Sequence, residues 1–140
     1  MAKQSKTRSV SEQQVRAYLE KAGEFLRRSL GSLAEKDFNA AGLLAVHAAI
    51  SANDAVTGQY GQKRSAGEEH QKAADLLRKL APTGTREWHL QASRLNRIIG
   101  KKNLVAYEGR LISSKEATWL VEQAERFVNW ARAVVGSVVQ

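Results

Sequence analysis

Arg94, Arg97 and Lys101 recur at i, i+3 and i+7, the interval that stacks side chains on one face of a helix. Lys102 adjoins them, and Asn103 and Tyr107 follow about one helical turn apart. A row of cations spaced by one turn can meet successive phosphates of a polyanion, so Arg94, Arg97, Lys101 and Lys102 are the candidate anion-binding residues. A solvated helix face is the competing reading of the same pattern.

The chain has three histidines, His47, His70 and His89. None has a His-Glu-x-x-His or similar ligand spacing, and no metal site is expected. His47 shares a helix face with Ile50, Ser51 and Asp54, at i+3, i+4 and i+7. A catalytic triad needs three groups converging in hydrogen-bonded order beside an oxyanion hole, which one helix face does not supply. His47 and Asp54 are therefore expected in a polar cluster hydrogen-bonded across a core. His70, after Glu68 and Glu69, fits a helix-terminal hydrogen bond, and His89 faces either solvent or an anionic ligand. With no cysteine in the chain, disulfides, thiolate metal sites and cysteine nucleophiles are excluded. There is no P-loop and no glycine-rich dinucleotide fingerprint, the carboxylates are scattered, and no cofactor is expected.

The formal net charge is +8 over 140 residues. Lys3, Lys6 and Arg8 lie in an acid-free stretch, and residues 1–10 read as a disordered basic arm. Between Pro82 and Leu111, six basic residues stand against Glu87 and Glu108, a net of +4. Such a local excess attracts RNA, DNA or nucleotides, although many basic proteins bind nothing anionic. The longest apolar run, Ala40 to Ile50, is broken by Gly42 and His47 and is too short to cross a membrane. No apolar stretch follows the basic start, so no secretory signal is read there. A cytoplasmic protein with no membrane partner is the expectation.

Helices must position these residues. Strand alternation and hairpin dipeptides are absent, whereas 3.6-residue spacing is clear. A first helix is expected from Ser11 to about Leu33, with Ser11 and Gln14 forming a capping box and Val15, Ala22 and Leu26 on its apolar stripe. A second, near Asp37 to Gln59, is alanine-rich, apolar almost all round and free of Lys and Arg, which suits the centre of a bundle. The three glycines between Gly58 and Gly67 mark a loop. A third helix follows from about Glu68 to Leu80, and Pro82-Thr83-Gly84 ends it. A fourth starts near Thr85, a candidate cap, with Trp88, Ala92, Leu95, Ile98 and Ile99 inward, and Gly100 weakens or kinks it. A fifth runs from Ser113 or Ser114 to near Gly136 with a long apolar stripe. Trp119 and Trp130 project on similar sides of it, to complete the core or widen the stripe toward a partner. Short connections favour antiparallel neighbours, hence an all-α, up-and-down helical bundle of four to five helices occupying residues 11–138 as one domain.

The segments AAGLLAVHAAISANDAVTG and GEEHQKAADLLRKL resemble the first half of a HEPN domain. KKNLVAYEG with ISSKEATWLVEQAERFVNWARAVV resembles the second half. The resemblance covers roughly residues 12 to 137. It implies a HEPN-like bundle that pairs into a homodimer. Many HEPN proteins are metal-independent ribonucleases of toxin type, built on an Arg, a polar residue and a His four to six residues after the Arg. In one alignment Lys102 takes the Arg position, Asn103 the polar one and Tyr107 that of the His, which makes these three the catalytic candidates. Aligned on Arg97 instead, Lys102 or Asn103 falls where the His belongs. Neither alignment supplies a histidine, and a tyrosine hydroxyl is a far weaker base than imidazole at neutral pH. The resemblance therefore implies a domain that homodimerises and binds RNA or a nucleotide without catalysis. Its alternatives are a divergent ribonuclease and a partner or antitoxin-like subunit of a nucleotidyltransferase. In each case the Lys102–Tyr107 turn is expected to line a groove or a subunit seam.

Overall fold

The computed structural model describes residues 7–66 and 71–136. It contains five helices of nine residues or more and one single-turn segment. These are α1 (Glu12–Ala34), α2 (Phe38–Gly61), α3 (Gln71–Lys79), α4 (Arg86–Ile99), α5 (Lys102–Ala106) and α6 (Ser114–Gly136). Two short strands, β1 (Thr7–Ser9) and β2 (Lys63–Ser65), complete the described chain. The fold is an all-α helical bundle with a small ribbon at one end.

The helix ends follow local chemistry. Ser11 Oγ accepts from the Gln14 backbone N–H at 3.2 Å, and Gln14 Oε1 accepts from the Ser11 N–H at 2.9 Å, a complete capping box. Ser113 and Glu116 repeat the arrangement before α6, at 3.1 and 2.9 Å. Thr85 does not cap α4 with its side chain. Its hydroxyl instead donates to the Pro82 carbonyl at 2.6 Å and closes the Pro82–Thr85 turn. The residues expected to start the third helix, Glu68 and Glu69, and the nearby His70 lie outside the described residues.

At the centre is α2. Ala41, Ala45, Val46, Ala48, Ala49, Ala52, Ala55 and Val56 are all buried. Methyl-sized side chains let neighbouring backbones approach, and α1 and α6 both pack on this helix. The Ser29 hydroxyl donates to the Ala41 carbonyl at 2.7 Å, a short link between the antiparallel α1 and α2. A Cβ placed on Gly42 would come within 2.5 Å of Ile112 Cδ1, so the absence of a side chain there lets the loop before α6 pack closely on α2. A second layer is tied down by Trp88. Its indole N–H donates to the Leu77 carbonyl of α3, and its ring meets Tyr60 and Trp130 edge-on at 4.8 and 5.2 Å. Trp130 also packs on Phe127, so it belongs to this aromatic cluster.

The basic start of the chain is ordered from Thr7 onward. This corrects the expectation of a disordered arm for residues 7–10; residues 1–6 lie outside the described set. β1 pairs antiparallel with β2, Arg8 opposite Arg64, so the expected loop after α2 holds a strand. The Val10 N–H then donates to the Gln62 carbonyl at 2.9 Å. The anchor is apolar. Val10 is buried, and it sits immediately before the Ser11 cap while Val15 occupies the fourth helical position, the arrangement of a hydrophobic staple. Both side chains close on Gly58, where a Cβ would stand 2.6 Å from Val10 Cγ1 and 2.9 Å from Val15 Cγ2. These are short, stiff side chains with little room to yield. Gly58→Ala is therefore expected to destabilise the protein by about 1–2 kcal/mol despite its better helix propensity. Urea unfolding checks this, and a midpoint at or above that of the wild type would show that the clasp is loose.

Candidate anion-binding site

The structure divides the basic stripe into two groups. α4 ends at Ile99, the chain turns through Gly100 and Lys101, and α5 restarts at Lys102. Arg94 and Arg97 therefore stay on α4. Lys101 is exposed in the turn, and Lys102 is half-buried at the start of α5. Asn103 is exposed, and its carbonyl accepts from the N–H groups of Tyr107 and Glu108 at 3.0 and 3.1 Å. Tyr107 is 75 % exposed and Leu111 79 %. The side chains at the end of this turn thus stand largely in solvent in a single copy of the chain.

Arg94 is held between two helices. Its Nη1 donates to Gln91 Oε1 and its Nε to Gln123 Oε1 of α6, both at 2.9 Å. Gln91 is buried, and its Nε2 donates to Glu87 Oε1 at 2.8 Å. Partial burial lowers the Arg94 pKa most, the charges of Arg126 and Arg97 lower it further, and Glu87 opposes them. Neither Arg126 nor the two glutamines stood out in the sequence. Gln123 and Arg126 are one turn apart on α6, a spacing that carries meaning only once α4 is known to lie beside them. Arg110 leaves the basic group, because it forks onto Glu116 at 2.8 and 3.1 Å. Hydrogen bonding to Arg110, foremost among the causes, draws the Glu116 carboxyl down to about 2.

The expected polar core cluster of His47 and Asp54 does not form. α1, α4 and α6 cover the other sides of α2, and its Leu43, Leu44, His47, Ile50, Ser51, Asp54 stripe is left partly open. His47 is exposed, with its ring tilted against Phe25 at a centroid distance of 6.1 Å. Partial desolvation of the ring, and after it the Lys102 charge, lower the His47 pKa. The structure thus brings together a histidine and a lysine that lie far apart in sequence. The buried polar residues of α2 are instead Asn53 and Thr57, whose Oδ1 and Oγ1 have no hydrogen-bond partner among the described residues. His89 is exposed on α4. No group of three or more potential metal-ligating side chains occurs among the described residues.

Asp54 is half-buried. Loss of water raises its carboxyl from the ordinary 3.8 to about 7, and the Arg64 charge only partly offsets this. Between those values the folded chain binds a proton that the unfolded chain has released. The contribution of Asp54 to stability therefore falls as pH rises from about 4 to about 7 and is level above that. Asp54→Asn is expected to be neutral at pH 4 and stabilising at pH 8, on the order of 2 kcal/mol. Thermal melts at the two pH values check it, and an equal effect at both would contradict it.

Solved structures share this architecture. The archaeal HEPN homologue ST0689 matches with a TM-score of 0.61, at 17 % identity, over 86 % of this chain and 97 % of its own. TT1696 from Thermus thermophilus matches with a TM-score of 0.61, at 22 % identity, over 85 % of this chain and 96 % of its own. No protein-family model and no curated protein matches the sequence. The two likenesses are of fold, and they cover nearly the full length of both solved structures. The chain has a HEPN-like fold.

Proposed function

We propose that this HEPN-like bundle works as a homodimer that binds an anionic ligand, RNA or a nucleotide, without turning it over. The observation that supports this most is the state of its cations. Among the described residues, side-chain ion pairs join Arg78 to Asp75 and Arg110 to Glu116, and neither involves Arg94, Arg97, Lys101 or Lys102. Unneutralised charge gathered at one end of the fourth helix and its following turn raises the local concentration of polyanions. Pairing is supported by apolar surface beside that charge. Tyr107 and Leu111 are largely exposed, and the half-buried Leu43, Leu44 and Ile50 lie along the open stripe of α2. A second copy set against these residues would turn the exposed Lys102–Tyr107 turn into one wall of a groove.

A second reading, a metal-independent ribonuclease, is favoured by one observation. His47 approaches Lys102 from another helix and is neutral near pH 7 by the direction of its shift. A neutral imidazole can take a proton from a ribose hydroxyl while an ammonium steadies the phosphate.

Filter binding of RNA at two salt concentrations is expected to show retention at low salt and a steep loss at higher salt. No retention at low salt would end the binding proposal. Light scattering is expected to give twice the chain mass, and a monomer at all concentrations would remove the dimer. For the second reading, RNA is expected to be cut in EDTA, with cutting lost in His47→Ala and Lys102→Ala. Intact RNA after long incubation would dismiss that reading and leave the first in place.

A further inference from the structure

Two amides, and no carboxylate, fix the Arg94 guanidinium between α4 and α6. An amide oxygen orients a guanidinium without cancelling its charge, whereas a glutamate in the same place would close an ion pair. Arg94 is thus held at two of its nitrogens, while its Nη2 has no hydrogen-bond partner among the described residues. Arg97 on α4 and Arg126 on α6 are both exposed and near enough for their charges to act on Arg94. None of the three makes an ion pair among the described residues. The opposing charge that acts on Arg94 is Glu87, which is already bonded to Gln91. Holding like charges in company, one of them partly desolvated, is unfavourable until an anion enters among them.

The geometry points to a phosphate-binding cleft between α4 and α6, formed by Arg94, Arg97 and Arg126, with Gln91 and Gln123 as positioning residues. The cleft rests on the anion-binding reading above and deepens it. It adds a second helix to the site and separates it from the Lys102–Tyr107 turn. The ligand chemistry is a phosphate ester, whose oxygens match the planar donor fork of arginine. An RNA backbone and a free nucleotide share that chemistry.

The test measures binding of two probes at low salt, a labelled short oligouridine RNA and ATP. The proteins are the wild type, Arg126→Ala, Gln123→Glu and, as a surface control, Arg28→Ala on α1. Arg126→Ala is expected to weaken binding about tenfold and to reduce the magnitude of the salt slope for RNA by about one. Gln123→Glu keeps the side-chain shape and is expected to melt no lower than the wild type, yet to lose binding at least as strongly, because it neutralises Arg94 in place. A purely structural glutamine would keep full binding in that variant. Arg28→Ala should bind like the wild type. Losses confined to the RNA arm identify a backbone phosphate, and losses confined to the ATP arm identify a nucleotide. Wild-type affinity for both probes in Arg126→Ala and Gln123→Glu would overturn the cleft while leaving anion binding to be placed elsewhere. A wild type that binds neither probe removes both readings.

Discussion

The close approach of helices around α2 is the constraint on which everything else depends. A helix whose buried positions are largely alanine has little side-chain volume to fill, so its neighbours must come to it. The Ser29–Ala41 hydrogen bond, the crossing of Ile112 over Gly42 and the closure of Val10 and Val15 on Gly58 are consequences of that approach. Because α2 between Phe38 and Gly61 carries no lysine or arginine, the positive charge of the chain falls on the helices around it. The centre of the molecule thereby decides where its cations can gather.

Those cations are treated in two ways. Arg110 is neutralised by Glu116 in a forked pair that also secures the start of α6. Arg94 is instead held by the amide oxygens of Gln91 and Gln123 and keeps its charge. The amides tie α4 to α6 while orienting a cation whose charge Glu87 offsets only in part.

Much of the fold could be read from residue spacing, because capping boxes and apolar stripes are local signals. Ser11 with Gln14, the apolar run of α2, and the inward residues of α4 and α6 all depend on neighbours within a few positions. The ribbon could not be read that way. Its strands are three residues each, without alternation, and the burial of Val10 beside Gly58 that anchors them is a contact between residues far apart in the chain. His47 was misplaced for a related reason. The uniform apolarity of α2 gives no hint of which side stays open, and only the packing of α1, α4 and α6 decides it. The site was the least legible part. Arg94 and Arg97 follow from helical spacing, but Gln123 and Arg126 join them across an interhelical contact, and the break at Gly100 and Lys101 divides a stripe that looked continuous.

The β1–β2 ribbon has one more consequence, for how the molecule comes apart. The connection between α1 and α2 joins these helices at one end, and the pairing of residues 7–9 with residues 63–65 joins them again at the other. Two rods fastened at both ends cannot splay from either. Their backbone amides are therefore expected to open together, whereas those of a hairpin tied only at its turn would fray progressively from its free end.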